Sequence, residues 1–237
     1  MEYIIMEYLL KGISMLTLHH LENSQSIRVL WLLEELGAEY QIQHYQRDKA
    51  TSLAPAEFKK LHIMGTSPCI TDGDLVMPET NAILDYVMDK HGSGKLRPEH
   101  GSPDRANYLY WFHAAQGSFM PLLLESLIFK RMVSKVPAVI RPIIKFVVSK
   151  VKANYLDVRL DKTLSQIELT LSKSKWFAGE QFTAADIVMG YCMEVASVRV
   201  GMDDRYPNAQ RFLQQMRARP AYQKAMEKNG DFAPLAE

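Results

Sequence analysis

The sequence predicts an α/β domain followed by an all-helical domain. Strand and helix patterns alternate from Met15 to about residue 91, and only helical patterns occur after residue 103. The stretch between them, 92–103, is rich in Gly, Pro and polar residues, which is typical of a linker. We therefore expect an α/β domain at 15–91, a linker at 92–103 and a helical domain at 104–237. A chain of 237 residues has room for these two domains.

The α/β region consists of a βαβ unit followed by a hairpin and a helix. In chain order we expect a strand at 15–20, a helix ending at Gly37, a strand at 39–46, a short helix opened by Pro55, a hairpin turning at 72–74, and a helix from Glu79. Period-two alternation marks the first strand, and apolar residues at helical spacing mark the helix before Gly37. This order predicts a compact mixed sheet with helices on its faces.

The region after the linker has helical signals only. Periodicity of 3.6 residues or strong helix propensity predicts six segments: 104–130, 136–152, 154–173, 183–199, 208–217 and 221–228. We therefore expect a helical bundle.

Charge and cysteine content argue against several kinds of partner. The chain has 28 Lys and Arg against 27 Asp and Glu, so there is no net positive field to hold a nucleic acid. Cys69 and Cys192 lie far apart and form no Cys-x-x-Cys pair, which suits a reducing compartment and excludes a cysteine-rich zinc module. We expect a cytoplasmic protein without a metal.

Two apolar segments bear on membrane contact. Residues 1–14 contain three charged residues and fall short of the roughly 20 apolar residues that a spanning helix needs. We expect them to form an extension, either an additional start upstream of Met15 or a peripheral arm. Residues 136–151 are interrupted by two prolines and by Arg141 and Lys145, so they predict a buried or surface helix, with a basic membrane-surface helix as the alternative. No integral membrane association is expected.

Three short motifs carry candidate chemistry. Ser24 lies between the first strand and the first helix, where backbone N–H groups favour an anion, although a serine there can also be a plain N-cap. Ser67-Pro68 precedes a strand, and an extended Ser67 can pair with a peptide ligand or serve structure alone. Glu79-Thr80 opens a helix and can bind an ammonium and a carboxylate, or simply cap the helix.

The order of these motifs resembles the N-terminal domain of the cytosolic glutathione transferases, and the similarity covers nearly the whole chain from Met15. It includes the helix WLLEELG, the linker near residue 91, the aromatic helix NYLYWFHAAQGSFMPLLL and the segment FTAAD after WFAG. In that last segment, Thr183 and Asp186 would form a reciprocal capping box. The resemblance implies a thioredoxin-like first domain and a homodimer.

The resemblance also implies the residues of a glutathione site. Ser24 would stabilise the glutathione thiolate, as in serine-type members, with Ser26 as the fallback. The other implied contacts are Thr66, Ser67 for the cysteinyl backbone, Pro68 as a cis proline, and Glu79 with Thr80 for the γ-glutamyl end. Ile63 and Thr66 replace the Pro and Lys that similar bacterial and fungal sequences often have.

The implied activity is conjugation of glutathione, a co-substrate rather than a cofactor, to a small apolar electrophile. Tyr108 and Trp111 lie on the apolar face of a helix that resembles the one bordering the family's second-substrate pocket. Two alternatives remain open. One is glutathione-dependent peroxide reduction or isomerisation, and the other is a non-enzymatic interaction protein on the same scaffold.

Overall fold

The computed structural model describes residues 15–202 and 204–230. They form two compact units. The first comprises the described residues up to Ser93 and those from Ala221 on, and the second comprises Gly94–Pro220. The first unit contains a mixed sheet with helices and the second is all-helical, which confirms the predicted fold class. The predicted extension at 1–14 lies outside the described residues.

The first unit is built on a four-stranded sheet in the order β2-β1-β3-β4. The strands are β1 (Thr17–Leu21), β2 (Gln41–Tyr45), β3 (Cys69–Asp72) and β4 (Leu75–Pro78). β1 pairs parallel to β2 and antiparallel to β3, and β4 continues antiparallel from β3. The parallel pair requires a crossover, which a helix supplies. β1 therefore lies inside the sheet, and after its end at Leu21 the chain continues into that helix.

Three helices accompany the sheet: α1 (Ser26–Leu36), α2 (Ala56–Lys59) and α3 (Thr80–His91). α1 is buried along most of its length, and Val29, Leu30 and Leu33 are fully buried. It ends where the sequence predicts, because Gly37 adopts a left-handed conformation with φ of 62°. The N–H groups of Gly37 and Ala38 then donate to the last turn of the helix. The N-terminus of this buried helix therefore lies next to the end of β1.

The second unit contains helices only. They are α4 (Asp104–Ala114), α5 (Met120–Lys135), α6 (Arg141–Val151), α7 (Asp157–Lys173), α8 (Ala184–Arg199) and α9 (Pro207–Arg217). Short π-helical turns at Ala115–Phe119 and Lys152–Leu156 join α4 to α5 and α6 to α7. α8 is buried on all sides over most of its length, as its apolar sequence requires. None of the helices in the described part of the chain is long and apolar enough to cross a membrane.

The last described helix, α10 (Pro220–Asn229), departs from the predicted domain boundaries. The sequence assigns everything from 104 to 237 to the helical domain, whereas the structure places residues from Ala221 on with the first unit. The reason lies in its contacts with α1. Tyr222 meets the ring of Trp31 edge to face at 4.9 Å, and Lys228 Nζ lies 2.5 Å from Glu34 Oε1.

Candidate functional site

Ser24 lies in the turn between β1 and α1 and is almost fully buried. Its hydroxyl donates to the Leu21 carbonyl at 2.7 Å and accepts from the Ser26 N–H at 3.2 Å. The second contact satisfies a backbone donor at the start of α1, so the capping interpretation of this serine holds in part. Gln25 is the N-cap residue, and its own side chain makes no capping bond.

Three serine hydroxyls meet at this point, and we call Ser24, Ser26 and Ser67 the hydroxyl cluster. Ser24 Oγ lies 2.8 Å from Ser26 Oγ and 2.8 Å from Ser67 Oγ. Ser67 comes from the loop before β3, and its peptide bond to Pro68 is cis, as the resemblance implies. The structure thus brings together two of the predicted motifs. Hydroxyl donors at a helix N-terminus suit an anion.

His20 extends the hydroxyl cluster into the interior. Its Nδ1 lies 3.0 Å from Ser26 Oγ, and the residue is 1% exposed. Burial lowers the pKa of His20 to about 4, with a further decrease from His44. The imidazole is therefore neutral at pH 7 and orients Ser26. This role was not predicted from the sequence, although alternation with Leu16 and Leu18 along the strand pattern predicts a buried His20.

We expect His20 to make folding stability depend on pH. Because its folded pKa of about 4 lies below the ordinary 6.5, the unfolded chain binds a proton that the folded chain does not. Stability should fall as pH drops from 6.5 toward 4, by at most about 3 kcal/mol. Urea unfolding at several pH values should show a shallower decrease in His20→Asn. His100→Gln, at an exposed histidine, should match the wild type, and an unchanged slope in His20→Asn would contradict the assignment.

The start of α3 forms the second part of the site. Glu79, the exposed N-cap residue, has φ of 77°, a conformation that non-glycine residues adopt rarely and often at functional positions. Thr80 is buried, and its Oγ1 donates to Gln25 Oε1 at 3.4 Å. Gln25 Oε1 also accepts from the buried Arg28 guanidinium at 3.0 Å. Gln25, which was not among the predicted site residues, therefore connects the start of α3 to the start of α1.

The other predicted site residues have different surroundings. Thr66 is exposed in the loop that carries Ser67. Tyr108 and Trp111 are buried in the second unit, where Tyr108 stacks on Phe112 at 5.4 Å and Trp111 meets Phe177 at 4.9 Å. Their part in a second-substrate pocket stays a prediction.

The buried Cys69 thiol has little nucleophilic character at neutral pH. Burial raises the pKa of Cys69 to about 11, so the thiolate that would act as a nucleophile is scarce. Within residues 15–202 and 204–230, no three His, Cys, Asp or Glu side chains are grouped to hold a metal ion.

Comparisons with known proteins give the same family for both units. Residues 14–89 match the model of the glutathione S-transferase N-terminal domain, and residues 129–220 match that of the C-terminal domain. Glutathione S-transferase 3 of Schizosaccharomyces pombe is 34% identical, over 92% of this chain and 89% of that protein. Glutathione S-transferase 1 of Saccharomyces cerevisiae is 27% identical, over 92% and 96%. A crystal structure of a glutathione S-transferase from Actinobacillus pleuropneumoniae has a TM-score of 0.77 and 32% identity, covering 94% and 95%.

Proposed function

The chain belongs to the glutathione S-transferase family, and on that premise we propose that it activates glutathione as a thiolate and conjugates it to small apolar electrophiles. The observation that carries the proposal is the position of the Ser24 hydroxyl, at the end of β1 and 2.8 Å from Ser67 Oγ. These two residues are 43 positions apart in sequence. A fold that needed Ser24 only as a helix cap would not require this convergence.

In the proposed mechanism, the Ser24 hydroxyl turns from the Leu21 carbonyl to the sulfur of bound glutathione. An O–H donor and the N-terminus of α1 both favour the thiolate, and each unit by which the thiol pKa falls corresponds to about 1.4 kcal/mol. The thiol proton leaves to solvent, and the sulfur then forms a bond to the electrophile as the leaving group departs. Orientation and pKa depression supply most of the acceleration, because a thiolate is already a strong nucleophile.

The remaining site residues would hold the two ends of glutathione. The Ser67 backbone would pair with the cysteinyl residue in strand-like fashion. The exposed Glu79 carboxylate would take the γ-glutamyl ammonium, and Thr80 with the backbone donors of α3 would take its carboxylate. Thr66 would lie beside the remaining part of the tripeptide. Gln25 would contribute by holding Thr80 in place.

We also propose that the second substrate binds near Tyr108 and Trp111, that the protein acts as a homodimer and that it works in the cytoplasm. Glutathione-dependent peroxide reduction or isomerisation would use the same thiolate with another second substrate. A non-enzymatic interaction protein is the second candidate. It is favoured by Ile63, an apolar side chain that is 96% exposed on the loop before Ser67.

Retention on immobilised glutathione, followed by titration of the bound thiol, tests the proposal. We expect the protein to be retained and eluted by free glutathione. Ultraviolet absorbance of the thiolate should give an apparent pKa below the roughly 8.5 of an unperturbed cysteine thiol. Glu79→Gln should weaken retention, while the pKa of glutathione bound at saturation stays lowered. Failure of the wild type to bind would favour the interaction protein, and binding with an ordinary thiol pKa would contradict activation by Ser24.

A further inference from the structure

Helix α6 and the turn that precedes it expose an apolar surface. Val139 is 89% exposed, Ile143 64%, Phe146 63% and Val147 50%. The opposite side of the same helix already supplies its core contact, because Val148 is 7% exposed. Folding therefore does not account for the outer apolar residues. We call Val139, Ile143, Phe146 and Val147 the α6 apolar face, and such contiguous exposed patches mark interaction surfaces.

The chain around this face is strongly basic. Between Glu125 and Asp157 there is no acidic residue, while seven Lys and Arg occur: Lys130, Arg131, Lys135, Arg141, Lys145, Lys150 and Lys152. The whole chain carries a net charge of only +1, so this is a local concentration of charge. Lys150 Nζ lies 5.6 Å from the ring centre of Phe146, which places a cation directly on the apolar face.

A cavity of about 350 Å³ lies between α5 and α6, on the side of α6 that carries Val148. Its walls combine apolar side chains, including Leu127 and Val148, with four cationic residues, namely Lys130, Lys145, Lys152 and Arg199. Arg199 Nη1 donates to the Leu123 carbonyl at 3.3 Å, which anchors that guanidinium at the cavity. This cavity is therefore separate from the α6 apolar face, and its cations add to the positive charge of this part of the chain.

We propose that the α6 apolar face and its basic surround dock the protein on a membrane surface that contains anionic phospholipids. Apolar residues of such a helix enter the boundary between headgroups and acyl chains, and the flanking Lys and Arg pair with headgroup phosphates. Lys150 reaches back to the headgroups while its stem stays with the apolar residues. The proposal goes beyond glutathione transfer and does not depend on it.

Charge favours an anionic membrane over two other occupants of this face, namely a second copy of the chain and residues 1–14. In a two-fold dimer across the same face, the basic surround of one copy would lie against that of its partner, and like charges would oppose association. Residues 1–14 contain Glu2, Glu7 and Lys11, so their side chains offer few anions to seven cations. A membrane with anionic lipids offers many phosphates at once, and each basic residue near its surface raises partitioning roughly fivefold.

Vesicle flotation of the purified full chain tests the proposal. We expect the protein to float with vesicles of phosphatidylcholine and phosphatidylserine and to remain in solution with vesicles of phosphatidylcholine alone. Raising the salt from about 0.1 M to about 1 M should release most of it, because the screening length falls from about 10 Å to about 3 Å.

Two double variants separate the apolar and the basic contributions. Ile143→Ser with Phe146→Ser should lower partitioning at least about tenfold through lost apolar burial. Lys145→Glu with Lys150→Glu should lower it about 25-fold or more, since two cations are lost. Leu169→Ser, at an exposed apolar position of α7, and Lys162→Glu with Lys173→Glu, at exposed basic positions of α7, should bind vesicles like the wild type. Turnover with a water-soluble electrophile should stay unchanged in all four.

Several outcomes would overturn the proposal. The proposal is wrong if wild-type protein binds neither kind of vesicle, or binds vesicles with and without phosphatidylserine equally. It is also wrong if the variant Ile143→Ser with Phe146→Ser floats with the vesicles as the wild type does. Sedimentation that shows a dimer becoming a monomer in Ile143→Ser with Phe146→Ser, without vesicle binding by the wild type, would assign the face to a second copy. Vesicle binding only after residues 1–14 are removed would assign it to that segment.

Discussion

Replacing Ser24 with alanine is expected to lower glutathione-conjugating turnover with an aryl halide about 100-fold, since a hydrogen bond to a charged group contributes about 1.5 to 3 kcal/mol. The Ser24 hydroxyl is the centre of the hydroxyl cluster, 2.8 Å from both other members. Without it, the sulfur loses its nearest O–H donor, and the pKa of bound glutathione should rise toward its ordinary value. Retention on immobilised glutathione should remain largely intact, because the Ser67 backbone and the start of α3 are unchanged.

Three variants make this prediction specific. Ser24→Thr keeps the hydroxyl and should recover most of the turnover. Ser26→Ala removes a neighbour of Ser24 and the contact to His20 but leaves the bond from Ser24 to the Leu21 carbonyl, so its effect should be much smaller. Ser67→Ala keeps the backbone groups and should also be mild. Normal turnover in Ser24→Ala combined with a large loss in Ser26→Ala would move the thiolate donor to Ser26.

The strands and helices that position the site were predictable wherever neighbouring residues determine the backbone conformation. The alternating pattern of MLTLHH predicts β1, and Gly37 marks the end of α1 because few other residues adopt its conformation easily. The hairpin between β3 and β4 follows from the turn at Gly73 in the same way. In each case, neighbouring residues alone carry the signal.

Contacts between distant segments could not be predicted from local sequence in this way. The meeting of Ser24 with Ser67 was expected only through the resemblance, because spacing along the chain does not tell which loop ends beside which strand. Gln25 was missed for the same reason, since its partner Thr80 is 55 positions away. The return of α10 to the first unit depends on the ring contact of Tyr222 with Trp31, which periodicity within either helix does not reveal.

The predicted capping box is present at the start of α8, and its acidic member supports a second large effect. Asp186 is fully buried and accepts three hydrogen bonds. The Phe177 N–H donates at 2.8 Å, the Thr183 N–H at 2.8 Å and the Thr183 hydroxyl at 3.1 Å. Burial raises the pKa of Asp186 to about 7, while these donors act in the opposite direction. One side chain thus satisfies two buried backbone groups and joins the loop at Phe177 to the central helix of the second unit.

Asp186→Ala should therefore lower the free energy of unfolding by about 3 to 5 kcal/mol, since two buried N–H groups lose their acceptor and α8 loses its cap. For a chain of this size the melting temperature should fall by roughly 10 °C. Thr183→Ala removes only one hydroxyl and should cost about 1 kcal/mol. The loss of stability in Asp186→Asn should lie between those of Asp186→Ala and Thr183→Ala, because the amide nitrogen of asparagine replaces one of the two acceptor oxygens. Thermal and urea unfolding would measure this order, and an alanine variant as stable as the wild type would show that the loop and α8 find other partners.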